Sequence, residues 1–489
     1  MKSADTTHSN HNKESETGIS KRIYEYIAGN LLNGTFPPGS RLPGMRAFSA
    51  KFNCSVKSVE CAVKLLIRSG ALISRAREGV FVSNTDALTK AMPVKVILPP
   101  DSVITSSGLL SAIFDYCKRP VKIITASSFE EYSEMIADGA GDLVFLSENN
   151  ANHLAACHML SPLQKFIEKI EVKNIDSRIF SYFCGNGRSL YFVPFVWAPS
   201  VMICNTDLIS PSDIPETWKE ISEYFNTHKL IMPDGTSAAG FDPFPLHSFF
   251  ELLIYQHGGK IISNNGYKCL LNKTHVLPVL EILKKHYRQS GIINISGEAN
   301  PEAYGINFGD KFFSVGRIAC LMRPLLFSRS YVSRKNMAAA AVNPPVIKKT
   351  SNSRYIRLTA SCLAVPRKSL NIKAAAEIMK NILSADIQRI IAAYGTGVPV
   401  YADVRDYRFE GPFHMPGFTA CLRYAQSCSW FMHISRRDIY SVIKTSLESF
   451  INNFSTSAQT LDHMRNGIQT CLDKQRLPWK LTSAVRRQV

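Results

Sequence analysis

The chain has 489 residues, 45% of them apolar, which suffices for about two to four domains with an ample core and excludes global disorder. Its formal charge of +18 favours a polyanionic partner. The twelve cysteines are scattered, with no Cys-x-x-Cys pair and no histidine at zinc spacing, which argues against a metal site and for reduced thiols.

Residues 1–18 are rich in Ser, Thr, Asn, His and Glu and read as a disordered leader without the apolar stretch of a secretion signal. From Lys21 to Leu32, Ile23, Ile27 and Leu31 recur at helical spacing. Pro37-Pro38-Gly39 breaks the chain, a short helix is expected over Met45 to Lys51, and Asn53-Cys54-Ser55 makes a turn with Ser55 as N-cap. A third helix, Val56 to Arg68, turns Val59, Ala62, Val63 and Leu66 inward and stops at Gly70. Leu72 to Arg75 and Val80 to Val82 then alternate around Ala76-Arg77-Glu78-Gly79 as a hairpin. Twelve Lys/Arg face six Asp/Glu in residues 1–83, so a net +6 is concentrated there, as phosphate contacts require; a solvated basic face is the plainer reading.

This order of elements resembles the GntR family of bacterial transcriptional regulators over roughly residues 20–82. The carriers are Gly34, Pro38-Gly39, Arg41-Leu42-Pro43, Arg46, Ser55, Val59, Leu65, Gly70 and Gly79-Val80-Phe81-Val82. The resemblance implies a winged helix-turn-helix whose third helix enters the major groove of double-stranded DNA. Its implied DNA-binding residues are Arg41, Arg46, Ser55, Val56, Lys57 and Ser58, with Arg77 and Gly79 on the wing. Arg41 could instead brace the helix junction, and Arg77 could be a solvated charge. The family often has Arg where this chain has Val56 and Glu60.

After a short polar linker, residues 84–92, the rhythm changes. Strands are expected at Val94 to Leu98, Val121 to Ile124 and Asp142 to Leu146, with helices over Ser107 to Lys118 and Phe129 to Ala137 between them. That alternation argues for a mainly parallel sheet in an α/β fold. Two C-terminal helices are expected over Ile434 to Phe450 and Ala458 to Gln475. The most apolar run, Leu190 to Cys204, holds Pro194 and Pro199 and is too short to span a bilayer, so no membrane partner is expected.

Nearly all of 93–489 resembles the extracellular solute-binding proteins of ABC transporters, in the group that binds sugars. The carriers include Leu160-Ser161-Pro162-Leu163, Tyr191-Phe192-Val193-Pro194, Asn205-Thr206-Asp207-Leu208, Pro215-Glu216-Thr217-Trp218, Gln256-His257-Gly258-Gly259, Phe313 to Ala319 and Ala375-Ala376. The resemblance implies a two-lobed periplasmic-binding-protein-like (type II) domain. Its lobe one would be about 93–194 and 358–404, and its lobe two about 195–357 and 405–489, with ligand in the cleft. Ligand residues at or beside family positions are Glu148, Asn149, Trp197, Asp242, Phe244 and Arg323. All but Arg323 have a structural alternative: helix capping for Glu148 and Asn149, hinge packing for Trp197, a Pro-rich turn for Asp242 and Phe244. Leu325 stands where sugar binders often have Trp.

No Gly-x-Ser-x-Gly elbow, Walker loop or His-Glu-x-x-His is present, and His247 and His257 are separate, so no catalytic residues, no cofactor and no enzyme are expected. Gly185-Asn186-Gly187 reads as a hairpin turn. The expectation is a cytoplasmic, homodimeric, DNA-binding regulator that senses a sugar or oligosaccharide. Two alternatives stay open. One is a GntR-type regulator with a pyridoxal-phosphate aminotransferase-like domain, for which Ser333-Arg334-Lys335 is the nearest lysine site; the other is a degenerate paralogue that no longer senses.

Overall fold

Ile23, Ile27 and Leu31 lie buried on one face of α1 (His8–Leu32), which starts within the expected leader rather than at Lys21. The computed structural model describes residues 8–32, 34–83, 88, 92–100, 108–117, 119–164, 175–184, 190–231, 235, 238–242, 246–263, 266–288, 312–324, 339–349, 355–369, 371–401 and 436–476. Helix α2 (Met45–Phe52) and helix α3 (Val56–Arg68) pack on α1 around Phe48, Val59, Ala62, Val63 and Leu66, the inward set expected for α3. Strands β1 (Leu72–Arg75) and β2 (Gly79–Val82) pair antiparallel, with Arg75 opposite Gly79. Residues 39–42 add a third edge to this wing: Gly39 N donates to Val82 O at 2.9 Å and Leu42 N to Val80 O at 2.8 Å.

The chain divides into two units, the first of Met1–Pro100, Phe114–Phe145 and Val365–Asn381, the second of Asp101–Ile113, Leu146–Ala364 and Ile382–Val489. In the first unit the head runs almost directly into a strand. Leu88, within the expected linker, is fully buried in the head's core, Met92 packs on that core, and Val94 opens β3 (Val94–Leu98). Lys95 on β3 reaches Glu25 on α1 at 3.1 Å. Strand β3 pairs in parallel with β4 (Val121–Thr125) and with β5 (Leu143–Ser147), and α4 (Leu109–Cys117) and α5 (Phe129–Asp138) come between them in sequence. Helix α5 is capped by Ser128, whose Oγ accepts from Glu131 N, and ends at Gly139 with φ +70°. A Cβ there would sit 2.7 Å from Lys368 Cβ, so both the turn and the close approach require glycine.

The second unit is organised by β6 (Phe192–Asn205), fourteen residues buried throughout. Its first half pairs antiparallel with β10 (Leu358–Ala364), from Phe192 opposite Ala364 to Pro199 opposite Leu358. Its second half pairs with β8 (Ile318–Pro324) and β9 (Ala339–Val342). The register slips at Phe195, next to Pro194, which has no N–H to give the ladder. The carbonyl of Phe195 is taken instead by Gln388 Nε2 at 3.0 Å, from α12 (Ala385–Tyr394), and Gln388 Oε1 accepts from Val400 N at 2.8 Å.

Strand β7 (Ala239–Asp242) runs parallel to β8, and short β11 (Val398–Pro399) pairs with Trp197 and Val196. Helix α6 (Glu148–Ala156) follows β5, and α7 (Ser177–Cys184), α8 (Trp218–Thr227), α9 (Leu246–Gln256) and α10 (Lys273–Arg288) fill the intervals, while α11 (Ile372–Ile382) belongs almost wholly to the first unit. Helices α13 (Arg436–Ile451) and α14 (Ser457–Arg476), the C-terminal pair expected from sequence, share one core with α8, α9 and α10. The apolar circumference of α9 explains its central place there.

Candidate functional site

On the head, capping fixes how α3 begins. Ser55 Oγ accepts from Ser58 N at 3.2 Å and lies 2.9 Å from Ser58 Oγ, so two of the expected DNA residues hold the helix start and Ser58 is buried. Val56, Lys57, Glu60, Cys61, Lys64 and Arg68 are exposed. At about 100° per residue, Lys57, Lys64 and Arg68 fall within about 40° of one another, opposite the buried stripe. Arg46, on the first turn of α2, is exposed too.

Arg41 and Gly79 come together. Gly79 has φ +115°, and a Cβ on it would lie 3.0 Å from Arg41 Nε, so the guanidinium packs over the wing while remaining exposed. Arg77, at φ +65°, makes the wing's turn and is exposed. Arg75 stacks on Phe81 at 4.4 Å and approaches Glu78 at 3.7 Å.

In the second unit, Glu148 and Asn149 open α6, whose cap is Ser147. Glu148 is 5% exposed and its carboxylate is occupied: Oε1 is 3.3 Å from Arg357 Nη2, and Oε2 accepts from Ala360 N at 3.2 Å. Asn149 Oδ1 is buried without a hydrogen-bond partner among the described residues. Trp197 is fully buried, and its Nε1 donates to Pro399 O at 3.2 Å, so its ring has no open face in this conformation. Asp242 and Arg323, both buried, pair at 2.8 Å from the parallel strands β7 and β8, and Arg323 Nη1 also donates to Met322 O. Phe244, Leu325, Gly185-Asn186-Gly187 and Ser333-Arg334-Lys335 lie outside the described residues.

The strongest electrostatic feature joins Glu148 to Arg357 and Glu251, two residues that no sequence motif singles out. Arg357 precedes β10 beside the point where β6 changes partners, and its carbonyl accepts from Ser200 N at 2.8 Å. Its guanidinium lies between Glu148 and Glu251, 3.3 Å from each, and Tyr440 Oη on α13 donates to Glu251 Oε2 at 2.7 Å. Burial alone would pull the guanidinium's pKa down, but Tyr440, Glu251 and Glu148 together hold it well above its ordinary value. One cation thus ties α6, α9 and α13 to the crossing of β6 and β10.

His247 packs on Tyr440, with ring centroids 4.6 Å apart. Desolvation first, then the charges of Arg357 and Lys444, push its pKa down to about 3. A histidine held neutral while the unfolded chain protonates near pH 6.5 makes folding weaken as pH falls below that value, by up to about 1.4 kcal/mol per unit. Melting temperatures of wild type and His247→Phe between pH 7.5 and 5 check this. The wild type is expected to lose stability more steeply, and equal slopes would refute the histidine's part.

A cavity of about 270 Å³ in the second unit is lined by Pro211, Pro215, Pro344, Pro345 and Tyr355 among others, and none of the expected ligand residues lines it. Among the described residues no group of three or more His, Cys, Asp or Glu could hold a metal ion, and no helix is long and apolar enough to cross a membrane.

A winged helical head with an exposed cationic face on α3 is followed in the same chain by an α/β body built on one long strand, and the two parts match different families. Residues 19–82 match the model of bacterial regulatory proteins, gntR family. Residues 120–389, more than half of the chain, match the model of bacterial extracellular solute-binding protein, and the chain belongs to that family over this span. The match runs through Ser333-Arg334-Lys335.

Solved structures agree on the fold. The GacH receptor of Streptomyces glaucescens GLA.O, studied unliganded and with acarbose, is 14% identical with a TM-score of 0.64, covering 78% of this chain and 99% of that one. An ABC substrate-binding protein from Listeria monocytogenes in complex with cycloalternan is 14% identical with a TM-score of 0.62, over 78% and 99%. UgpB from Mycobacterium tuberculosis in complex with glycerophosphocholine is 16% identical with a TM-score of 0.61, over 79% and 100%. No curated protein sequence matches the chain.

Proposed function

We propose that this protein is a ligand-responsive transcriptional regulator whose head binds an operator in double-stranded DNA and whose solute-binding domain takes a carbohydrate. The observation that carries the first half is the exposed cationic face of α3, Lys57, Lys64 and Arg68, on a head matching the gntR family. Lys57 approaches the groove, Arg46 contacts a phosphate from the first turn of α2, Arg41 and Arg77 contact phosphates from the wing side, and Val56 lies at the entering end of α3. Two heads in a homodimer would meet a roughly palindromic site. A cytoplasmic location follows from that role.

The second half is supported by the relatives, two of which are described with acarbose and with cycloalternan. Asn149 offers a buried amide oxygen without a partner among the described residues, the kind of acceptor that a sugar hydroxyl satisfies. Asp242 and Arg323, buried and paired with each other here, are a carboxylate and a guanidinium, the two groups that fork vicinal hydroxyls when a ligand opens the pair. Ligand acts on DNA binding only through different affinities for two states of the protein.

Two measurements test the reading. Against a duplex selected by the full chain from a random library, Arg46→Ala is expected to weaken binding about tenfold and reduce the salt slope by about one, as loss of one phosphate contact does. Unchanged affinity at physiological salt would remove Arg46 from the interface. In a thermal-shift screen of mono- and oligosaccharides, a bound sugar raises the melting temperature, and Asn149→Ala reduces that shift. No shift with any sugar would overturn the carbohydrate assignment.

A further inference from the structure

The cationic face of α3 carries one acid. Glu60 is exposed, sits about 40° around the helix from Lys64, and follows Lys57 by three residues, about 4.5 Å along the axis. Its carboxylate has no ion-pair or hydrogen-bond partner among the described residues, so local structure gives no account of it. On a surface that meets phosphates, an unpaired acid costs affinity for every duplex alike. That cost is offset where the DNA presents a donor to it, and in the major groove the cytosine N4 amino group is the donor that Glu reads.

We propose that Glu60 is a specificity-determining residue of the head, reading a cytosine amino group in the half-site while Lys57 engages guanine O6 and N7. This rests on the DNA-binding reading above and goes beyond it by naming the bases. The chemistry is complementary: Lys57 is a donor only, Glu60 an acceptor only, and a G·C pair offers acceptors on the guanine and a donor on the cytosine. Their spacing of about 4.5 Å is little more than one base step of about 3.4 Å, so the two side chains address the same pair or adjacent pairs. Glu60 then acts by penalty as much as by contact: it discourages non-specific duplex and is satisfied at the correct base.

The test is selection from a randomised duplex library with the full-length wild type, Glu60→Gln and Glu60→Ala. The wild type is expected to enrich a G·C pair at one position of each half-site. Replacing that cytosine by 2-pyrimidinone, which lacks the 4-amino group, should weaken wild-type binding by roughly five- to a hundredfold. Glu60→Gln is expected to shift the enriched base at that position towards adenine, whose N6 and N7 suit an amide, and Glu60→Ala to lose the preference. Both variants should bind unrelated duplex several-fold more tightly. The same enriched bases in all three proteins would overturn the role of Glu60 alone, as would a glutamate acting only as a helix partner of Lys64, which changes melting temperature and not base preference. No enrichment of any duplex by the wild type would overturn the DNA-binding reading and this assignment with it.

Discussion

Replacing Arg357 by methionine is expected to destabilise the second unit by about 3–5 kcal/mol, the loss typical when one partner of a buried ion pair is removed. The expectation is large because both acids stay behind. The side chains of Arg357, Glu148 and Glu251 are 10%, 5% and 2% exposed, so methionine leaves two carboxylates facing each other away from water. The position adds to the effect, since the carbonyl of Arg357 holds Ser200 N where β6 passes from β10 to β8. Neutralising both acids in the same chain, with Glu148→Gln and Glu251→Gln, should recover much of the loss, because what hurts is the uncompensated charge rather than the missing contact. Denaturant unfolding of the single and triple variants measures both numbers. A loss under about 1 kcal/mol in the single variant would mean that water reaches the acids and that Arg357 is no clip.

The elements with strong local signals are legible in the sequence. Helix α3 spans the expected residues because Ser55 caps it, Gly70 ends it and Val59, Ala62, Val63 and Leu66 keep a helical period. The strands β3, β4 and β5 fall within a residue of expectation because each is a short apolar run bounded by breakers. Side-chain partnerships are less accessible. In Phe249-Phe250-Glu251-Leu252-Leu253-Ile254 a lone acid inside an apolar helix signals a buried charge that must be paired. Arg357, at the head of the buried strand 358–364, carries the same signal with the opposite sign. Nothing local says that these two meet, because the pairing is made by strand topology across more than a hundred residues. Glu148 is marked by its place at the carboxyl end of β5, and that rule gives position without saying which neighbour takes the carboxylate.

Lengthening the join between Met92 and Pro93 with about eight Gly/Ser residues is expected to leave DNA binding by the head within about tenfold of wild type and to abolish any effect of ligand on it. The reason lies in how little chain separates the two parts. Leu88 is fully buried in the head's core and Met92 packs on the same core, with its N–H on Leu88 O at 3.0 Å. Val94 is already buried in β3, so Pro93, whose ring fixes φ, is the residue left between them. Lys95 on β3 and Glu25 on α1 add a second attachment, weak by itself because both side chains are about a third exposed, yet placed to set the angle. A join of this kind passes a movement of the sheet to α3, whereas a Gly/Ser segment with an end-to-end distance of about 15 Å lets the head reorient independently. Time-resolved fluorescence anisotropy of a dye on the head reads the coupling directly and does not require the ligand. The wild type should show one slow decay in which head and sheet move together, and the insertion should add a fast component. A fast component already present in the wild type would refute the rigid join even if DNA binding and sugar binding both hold.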